Sequence, residues 1–252
     1  MNLNDKSALI TGASRGIGRA IAQAFAAAGA RVAVHYHQNQ SAAEATLGAL
    51  PGQGHVLIQA DITQPDEVQR MVESSIEQLG GLDILVNNTG AALERDPLVE
   101  TDYKTWQDSW QQTINTNLIG AANACYCAAR YMIERRSGKI INVGSRGGYR
   151  GEPLYPAYGA SKAGLHALSQ SLAKYLGQYN ILVTAVAPGF VQTDMTSESL
   201  AGSRGDGIRN QSPLGRVAAP EEVAHTVLFL AAPGSEWLTG AVVDVNGASY
   251  LR

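Results

Sequence analysis

Short apolar segments alternate with segments of helical periodicity along the whole chain. The apolar segments, rich in Val, Ile, Leu and Ala, predict strands. They cover residues 7–11, 31–36, 55–60, 82–87, 139–143 and 181–186, with a last short strand at 242–243. Apolar residues three and four positions apart predict helices at 16–28, 41–50 and 65–79, and long helical stretches precede the fifth and sixth strands.

This alternation of strands and helices predicts an α/β protein. Its centre would be a parallel sheet of about seven strands, with helices on both faces. The chain shows no linker, low-complexity segment or internal repeat, so residues 1–252 are expected to form one domain. In such sheets, ligands bind outside the carboxyl ends of the strands. The motifs described below all fall at these ends.

Composition narrows the class of protein. The chain has 252 residues, of which 45% are hydrophobic and 16% charged, and this balance excludes a disordered chain. The net charge of −3 offers no basic surface for nucleic acid or an anionic membrane. No apolar run approaches the roughly 20 residues of a membrane span. The first residues lack the pattern of a secretion signal, so a cytoplasmic protein is expected.

The two cysteines, Cys125 and Cys127, exclude a disulfide framework and suit a reducing compartment. Residues two apart point to different sides of a helix, and no histidine or acid is spaced to complete a metal site with them. Two buried thiols are therefore expected. The other histidines also lack ligand spacing, so no catalytic metal is predicted.

A glycine-rich segment joins the first predicted strand to the first predicted helix. Gly12, Gly16 and Gly18 allow a tight turn and let backbone amides approach a pyrophosphate at a helix N-terminus. The spacing Gly-x-x-x-Gly-x-Gly is not the commoner Gly-x-Gly-x-x-Gly, but its place in the first strand–helix unit favours nucleotide binding. The candidate cofactor-binding residues of this segment are Gly12, Ser14, Arg15, Gly16, Ile17 and Gly18.

The end of the second predicted strand indicates which dinucleotide binds. NAD-binding folds usually carry an acid there, which accepts hydrogen bonds from the ribose 2′-hydroxyl. Here the first acid is Glu44. A carboxylate would repel a 2′-phosphate and Arg15 would attract one, so NADP(H) is the preferred cofactor and NAD(H) the alternative. His37 is a further candidate contact; the alternative is that His35 and His37 are both solvated strand-end residues.

Tyr158 and Lys162 form a candidate acid–base pair at the start of a long predicted helix. Residues four apart share a helix face, so the phenol would lie beside the ammonium. A free phenol, with a pKa of about 10, is a poor base at neutral pH. A nearby cation is expected to bring this pKa toward the working range. By itself, the spacing is also compatible with a chance pairing.

Three more motifs follow predicted strands. Asn87-Asn88-Thr89-Gly90 ends the fourth, Ser145 follows the fifth, and Pro188-Gly189 follows the sixth. With the glycine-rich segment and the Tyr–Lys pair, they stand in the order and spacing of the short-chain dehydrogenase/reductase family. The chain resembles this family over almost its whole length, most closely the 3-oxoacyl-carrier-protein reductase branch. The resemblance implies a three-layer Rossmann-like fold and a homotetramer or dimer.

The resemblance also implies a role for each candidate residue. Tyr158 would donate the proton in reduction and accept it in oxidation. Lys162 would lower the pKa of Tyr158 and hold the nicotinamide ribose, and Ser145 would bond to the substrate carbonyl. Asn117 would order a water leading to the lysine. The other implied cofactor contacts are Asp61 and Ile62 at the adenine, Asn88 and Gly90 along the cofactor, and Pro188, Gly189, Val191 and Thr193 around the nicotinamide.

Two departures from the family pattern bear on the site. Thr89 replaces the usual alanine and adds bulk and a hydroxyl near the cofactor. Segment 91–116 looks a few residues longer than in the ketoreductase branch. It either reshapes the substrate mouth or forms a surface loop followed by a helix with buried tryptophans. The residues of interest in this segment are Arg95, Asp96, Pro97, Trp106 and Trp110.

The substrate stays open at this stage. Residues after Ser145 either hold an anionic or hydroxylated substrate or face solvent; they are Arg146, Tyr149, Arg150, Glu152 and Tyr155. Carrier-protein docking is uncertain, because Arg136 matches the first of two docking arginines in the branch, whereas Tyr179 replaces the second.

The sequence thus predicts an NADP(H)-dependent oxidoreductase that reduces a ketone to a secondary alcohol. A 3-oxoacyl thioester is the first candidate substrate, and another small ketone or a sugar or polyol, oxidised in reverse, is the alternative. A cofactor-sensing protein on the same fold is the non-enzyme alternative. All four implied catalytic residues are present, which favours an enzyme; they are Asn117, Ser145, Tyr158 and Lys162.

Overall fold

The computed structural model describes residues 1–91, 97–194 and 196–252. Within these ranges, seven strands alternate with nine α-helices. The strands are β1 (Ser7–Ile10), β2 (Arg31–Tyr36), β3 (Val56–Gln59), β4 (Ile84–Asn87), β5 (Gly138–Val143), β6 (Ile181–Pro188) and β7 (Val242–Val245). The helices are α1 (Gly16–Ala27), α2 (Gln40–Gly48), α3 (Pro65–Leu79), α4 (Tyr103–Ile114), α5 (Gly120–Arg135), α6 (Gly147–Arg150), α7 (Pro156–Leu176), α8 (Gly202–Arg209) and α9 (Pro220–Ala231). A π-helical segment, Asn115–Ile119, joins α4 to α5.

The seven strands form one parallel sheet in the order β3-β2-β1-β4-β5-β6-β7. Leu9 of β1 lies in register with Ala33 of β2 on one side and with Leu85 of β4 on the other. The chain therefore winds outward in opposite directions from β1 and β4, and this switch of direction opens a crevice at the carboxyl ends of the strands. The predicted Rossmann-like fold is confirmed.

Helices cover both faces of the sheet because successive strand residues point to opposite sides. Ala8 and Ile10 pack on the side of α1 and α9, whereas Leu9 packs on the side of α3, α5 and α7. All four residues of β1 are buried, as expected for a strand covered on both faces. No described helix is long and apolar enough to cross a bilayer.

Element boundaries differ from the predicted ones by one to two residues. The second helix begins at Gln40 rather than 41, because the Asn39 side chain accepts the Ala42 N–H at 3.0 Å and caps it. The predicted strand at 55–60 is shorter, covering Val56–Gln59. The last strand extends from Val242 to Val245. Such shifts leave the motifs in the same strand-to-helix connections.

Candidate active site

The four candidate catalytic residues lie at the carboxyl edge of the sheet. Ser145 follows β5, and Tyr158 and Lys162 occupy the first turns of α7. Asn117 is buried in the π-helical segment between α4 and α5. A π-turn inserts an extra residue into the helix and is frequent at functional sites. The end of β5, the π-helical segment and α7 thus bring together residues that are up to 45 positions apart in the sequence.

Lys162 is the centre of this group and is only 3% exposed. Its Nζ lies 5.8 Å from the centroid of the Tyr158 ring and donates to the Val143 carbonyl at 2.9 Å. The Ser145 side chain is close enough to the Tyr158 phenol to act on its pKa, which it lowers. Ser145 Oγ also accepts the Gly147 N–H at 3.0 Å. The hydroxyl, the phenol and the ammonium are therefore close enough to act on one carbonyl group.

The protonation of this group differs from the sequence-based expectation. Burial raises the pKa of Tyr158 and outweighs the lowering by the Ser145 hydrogen bond. Burial also lowers the pKa of Lys162 to about 8. The net lowering of the Tyr158 pKa that the sequence predicted is therefore not found, because burial has the larger effect. The Lys162 ammonium donates to the Val143 carbonyl. The phenol is protonated at neutral pH, which is the form that can donate a proton.

Asn117 connects the loop after β4 to α7. Its Oδ1 accepts the Ala91 N–H at 2.8 Å, and its Nδ2 donates to the Ala91 carbonyl and to Ser161 Oγ, both at 3.0 Å. Ser161 Oγ in turn donates to the Tyr158 carbonyl at 2.7 Å. A side chain at Gly90 would come within 3.1 Å of Lys162 Nζ, so Gly90 lies directly against the lysine. Asn117 therefore braces the residues around Lys162.

The glycine-rich loop has the tight conformation that the sequence predicted for a phosphate-binding turn. Gly12 has φ +63°, a left-handed conformation that favours glycine, and a side chain at Gly18 would overlap the Gly12 carbonyl. Asn88 holds the loop from β4, because its Nδ2 donates to the Thr11 and Gly12 carbonyls at 2.9 and 3.1 Å. Thr193 lies across the loop, where its Cγ2 would contact a side chain on Gly16.

Three side chains beside this loop fit a phosphorylated dinucleotide. Arg15 is exposed, and no carboxylate or other acceptor in the described part of the chain contacts its guanidinium. The Ser14 hydroxyl is likewise without a protein partner among these residues. Thr89 Oγ1 is fully buried and has no hydrogen-bond partner in the described residues, although it lies against Gly12. A buried hydroxyl without a partner is costly, and a bound cofactor would satisfy it.

The predicted adenine end lies where β2 and β3 finish. His37 Nε2 is 3.8 Å from Asp61 Oδ2, and Ile62 is buried beside them. Asp61 accepts the backbone N–H and the hydroxyl of Thr63 at 2.9 and 2.8 Å. Burial would raise the pKa of Asp61, but these two hydrogen bonds hold it below its ordinary value. His37, half-exposed, therefore faces a carboxylate instead of solvent alone.

His35 has a structural role that the sequence did not indicate. It is 1% exposed, so the alternative of a solvated strand-end residue is wrong for this histidine. Its Nδ1 accepts the Gly12 N–H at 3.0 Å and its Nε2 lies 3.0 Å from the Ala60 carbonyl. Burial lowers the pKa of His35 to about 4. The ring is thus neutral at working pH and joins the glycine-rich loop to the end of β3.

His166 is a second residue that sequence reasoning missed. Ser145 donates its N–H to His166 Nε2 at 3.4 Å, and the imidazole stacks on the Tyr149 ring at 4.6 Å. The Arg252 guanidinium also lies over the Tyr149 ring, 4.2 Å from its centroid. Burial, assisted by the nearby Lys162 and Arg252 cations, lowers the pKa of His166 to about 4. Its position on the helix face of Tyr158 and Lys162, four residues further on, was an available signal.

The residues predicted to surround the nicotinamide are held by backbone contacts. Pro188 accepts the Arg146 N–H at 3.0 Å, and Gly189 donates to the Val245 carbonyl at 3.1 Å. Val191 is buried and pairs with Ala218 in an isolated bridge. These residues lie at and after the carboxyl end of β6, as the motif position predicted, and Gly189 reaches the end of β7.

Other sequence interpretations had mixed outcomes. Cys125 is buried, but Cys127 is only partly buried, so the expectation of two buried thiols is wrong for the second. The rings of Trp106 and Trp110 pack 5.7 Å apart on α4, and both are partly rather than fully buried. Arg95 and Asp96, named for the substrate mouth, lie outside the described residues. Pro97 lies inside them and precedes the turn that leads to α4.

Residues after Ser145 are mostly withdrawn from solvent. Arg146 is 3% exposed, donates to Gln211 Oε1 at 2.5 Å and stacks over Phe190 at 5.2 Å. Tyr149, Glu152 and Tyr155 are partly buried, whereas Arg150 is exposed. The alternative that most of this segment faces solvent is therefore wrong. Burial raises the pKa of Glu152, although Arg150 and Arg146 act in the opposite direction.

Comparison with known families agrees with this geometry. A family model described as Enoyl-(Acyl carrier protein) reductase, of the short-chain dehydrogenase type, matches residues 12–248. The chain belongs to the short-chain dehydrogenase/reductase family. As a member, it is an oxidoreductase that acts on CH–OH or C=O groups with a nicotinamide cofactor.

Individual members of the short-chain dehydrogenase/reductase family match along their whole length. The chain is 40% identical over 248 residues to 3-oxoacyl-(acyl-carrier-protein) reductase FabG of Staphylococcus aureus strain Mu50, covering 98% of each chain. It is 40% identical over 252 residues to the reductase of the same name from Chlamydia trachomatis, covering 97% of each. A dehydrogenase/reductase structure from Sinorhizobium meliloti 1021 superposes with a TM-score of 0.90 at 32% identity, covering 99% of this chain and 97% of that one.

Proposed function

We propose that this enzyme reduces a ketone to a secondary alcohol with NADP(H), and that Tyr158 is the proton donor. The observation that carries the proposal is the convergence of Ser145, Tyr158 and Lys162 beside the glycine-rich loop. A protonated phenol beside a serine hydroxyl presents two donors to one carbonyl oxygen. Such donors stabilise the negative charge that develops on this oxygen during reduction.

The reaction needs one hydride, one proton and a polarised carbonyl. The cofactor supplies the hydride when bound. Ser145 donates a hydrogen bond to the carbonyl oxygen, and Tyr158 transfers its phenolic proton to the same oxygen, which becomes the hydroxyl of the product. The Lys162 ammonium, buried close to the phenol, stabilises the phenolate that is left. In the oxidative direction, this phenolate takes the proton back.

The preference for NADP(H) is supported by a positive charge at the glycine-rich loop and by the lack of an acid at the end of β2. Arg15 is exposed and unengaged in the described structure, and therefore available to a 2′-phosphate. No acid stands at the end of β2, where it could bind a 2′-hydroxyl instead, since the first acid after this strand is Glu44 in α2. The nearby Asp61 is occupied by Thr63 and faces His37, which reduces its repulsion of a phosphate.

Two substrate classes are compatible with the site. A 3-oxoacyl thioester is supported by the names of the relatives. Docking of a carrier protein is less well supported, because Tyr179 stacks with Tyr175 at 6.0 Å and Arg136 donates to the Gln178 carbonyl at 2.8 Å. A hydroxylated ketone, or a sugar or polyol in reverse, is the second candidate. It is favoured by the polar wall formed by Arg146 and Glu152.

The assembly is proposed to be a homotetramer or dimer formed by one domain of residues 1–252, located in the cytoplasm. Exposed aromatic side chains support self-association, since large exposed apolar groups often mark interfaces. Tyr126 of α5 is 69% exposed, and Trp237, after α9, is 99% exposed. Light scattering of the purified protein measures the number of subunits.

The experiment that tests the proposed function is NADPH oxidation with acetoacetyl-CoA and with small ketones, run beside NADH under the same conditions. The variant Tyr158→Phe removes only the hydroxyl. It is expected to lose about 10²- to 10⁴-fold in kcat while keeping its affinity for NADPH. Full activity in Tyr158→Phe, or no turnover of any carbonyl by an enzyme that binds NADPH, would contradict the proposal. A cofactor-sensing protein would give the second result.

A further inference from the structure

Glu152 lies between the two segments that carry the reacting groups. It precedes α7 in the connection from α6. A methyl group placed on Gly147 would come within 2.7 Å of Glu152 Oε1, and one placed on Gly159 would lie 3.7 Å from Glu152 Cβ. Gly147 donates its N–H to Ser145 Oγ, and Gly159 follows Tyr158 directly. The carboxylate is thus held beside the hydroxyl and the phenol that act on the substrate carbonyl.

The Glu152 carboxylate has no partner of its own. Within residues 1–91, 97–194 and 196–252, neither of its oxygens accepts a hydrogen bond or forms an ion pair. The two nearest arginines are directed elsewhere, because Arg146 and Arg150 both donate to Gln211 Oε1, at 2.5 and 3.3 Å. The side chain is half-buried, and its oxygens keep some access to solvent. A half-buried carboxylate without a donor is unfavourable unless a ligand supplies one.

We infer that Glu152 is the specificity residue of the site, and that its carboxylate accepts a hydrogen bond from a substrate hydroxyl close to the reacting carbonyl. The inference rests on the proposed ketone reduction and narrows its substrate class to hydroxy ketones and the corresponding polyols. An ionised carboxylate only accepts hydrogen bonds, so it selects a donor group on the substrate. A plain ketone or a 3-oxoacyl thioester offers carbon where this donor is needed and would leave the carboxylate desolvated and unpaired.

Electrostatics agree with this placement. Burial raises the pKa of Tyr158, and the charge of Glu152 acts in the same direction, as expected for a carboxylate near the phenol. If the Glu152 carboxylate had no hydrogen-bond partner, its negative charge would oppose the negative charge that develops on the substrate carbonyl oxygen. A hydroxyl between them separates the two and satisfies the carboxylate. The free-energy cost of burying the Glu152 carboxylate under a bound substrate is thus offset only when the substrate carries that hydroxyl.

The experiment compares ketones that differ by a hydroxyl in place of a methyl group. Hydroxyacetone is paired with 2-butanone, and 4-hydroxy-2-butanone with 2-pentanone, which moves the hydroxyl one carbon away. For each pair, the ratio of kcat/KM is measured with NADPH for the wild type, Glu152→Gln and a control, Glu77→Gln. Glu77 is exposed on α3, away from the site. The wild type and the control are expected to prefer the hydroxylated member of at least one pair by about 10- to 100-fold.

Glu152→Gln keeps the shape of the side chain and removes its charge. The preference for the hydroxylated ketone is expected to fall roughly tenfold in Glu152→Gln, mostly because kcat/KM for the hydroxylated ketone falls. If Glu152 had a purely structural role, Glu152→Gln would lower kcat/KM for both ketones of a pair by the same factor. This result would overturn the inference. A melting temperature for each variant shows whether it is folded.

A second measurement does not depend on the variant. The binding of two alcohols to wild-type enzyme with NADP⁺ is compared by titration. They are 1,2-propanediol, the product from hydroxyacetone, and 2-butanol, the product from 2-butanone. The diol is expected to bind at least about tenfold more tightly. Equal binding, or reduction of acetoacetyl-CoA with no preference in either ketone pair, would overturn the inference and leave ketone reduction standing. Failure to reduce any of these carbonyls would overturn the proposed function and, with it, the role of Glu152.

Discussion

Replacing His35 by asparagine and, separately, by glutamine isolates the two hydrogen bonds of its ring. The asparagine amide falls near the position of Nδ1, which accepts the Gly12 N–H at 3.0 Å. The glutamine amide reaches the position of Nε2, which lies 3.0 Å from the Ala60 carbonyl. His35→Asn therefore keeps the bond to the glycine-rich loop, whereas His35→Gln keeps the bond to the end of β3.

The structure gives the size of each effect. His35 is 1% exposed, so water does not readily replace a lost partner. An amide or carbonyl left without its partner costs about 1–3 kcal/mol. In His35→Gln, this cost falls on the conformation of the Gly12 loop that is proposed to bind the cofactor phosphates, so the Kd for NADPH is expected to rise roughly 5- to 150-fold. In His35→Asn, the cost of about 1–3 kcal/mol falls on the free energy of unfolding instead, with NADPH affinity nearly unchanged.

The assay combines two titrations. Quenching of tryptophan fluorescence by NADPH gives the Kd, and urea unfolding at pH 7.5 gives the free energy of unfolding. His225→Gln is the control, because His225 is exposed on α9. Wild-type NADPH affinity in His35→Gln, or a larger loss of affinity in His35→Asn than in His35→Gln, would refute the reasoning. In either case, the Gly12 loop would not depend on its bond to His35.

Three further predictions address the cofactor and acid stability. Arg15→Ala is expected to weaken NADPH binding about 10- to 100-fold and NADH little, with Arg70→Ala as the exposed control, in fluorescence titrations; equal weakening of both would contradict the 2′-phosphate assignment. Thr89→Val removes the buried unpartnered hydroxyl, so it should weaken NADPH about 2- to 10-fold without lowering the melting temperature of the cofactor-free protein. His35 and His166 have a folded pKa of about 4, below the unfolded 6.5. Their contribution to the free energy of unfolding is therefore complete above pH 6.5 and falls by about 3 kcal/mol each toward pH 4. In urea unfolding, the free energy of unfolding of His166→Leu should therefore fall less steeply with decreasing pH than that of the wild type. Equal slopes would mean that other groups cause the acid sensitivity.

Much of the candidate site was predictable because its motifs are local. The Tyr158–Lys162 pair needs only a helix to bring it onto one face, and the glycine-rich loop needs only the turn from β1 to α1. Ser145 was identified by its place after a strand. These assignments depend on neighbours within a few residues, and short-range physics determines such neighbours. The roles assigned to these residues stay predictions until the variants are measured.

The residues that were missed depend on contacts between distant segments. His35 acts through Gly12 and Ala60, which lie 23 and 25 positions away, and His166 acts through Ser145, 21 positions away. The direction of the pKa of Tyr158 was also predicted wrongly. Charge proximity can be read from spacing, but burial depends on everything packed around the phenol. The same holds for Glu152, whose isolation from Arg146 and Arg150 is visible only once Gln211 is in place.

The sequence by itself determined the layered α/β fold and the edge of the sheet where the chemistry lies, because hydrophobic periodicity fixes each element and parallel strands end together. The tertiary structure alone decided which polar groups are buried, which of them are paired and which are left for a ligand. Burial and pairing depend on side chains from four or more elements at once, so no local pattern encodes them. Within the described ranges, Arg15, Thr89 and Glu152 are three of the residues at which this packing leaves a charge or a hydroxyl without a partner.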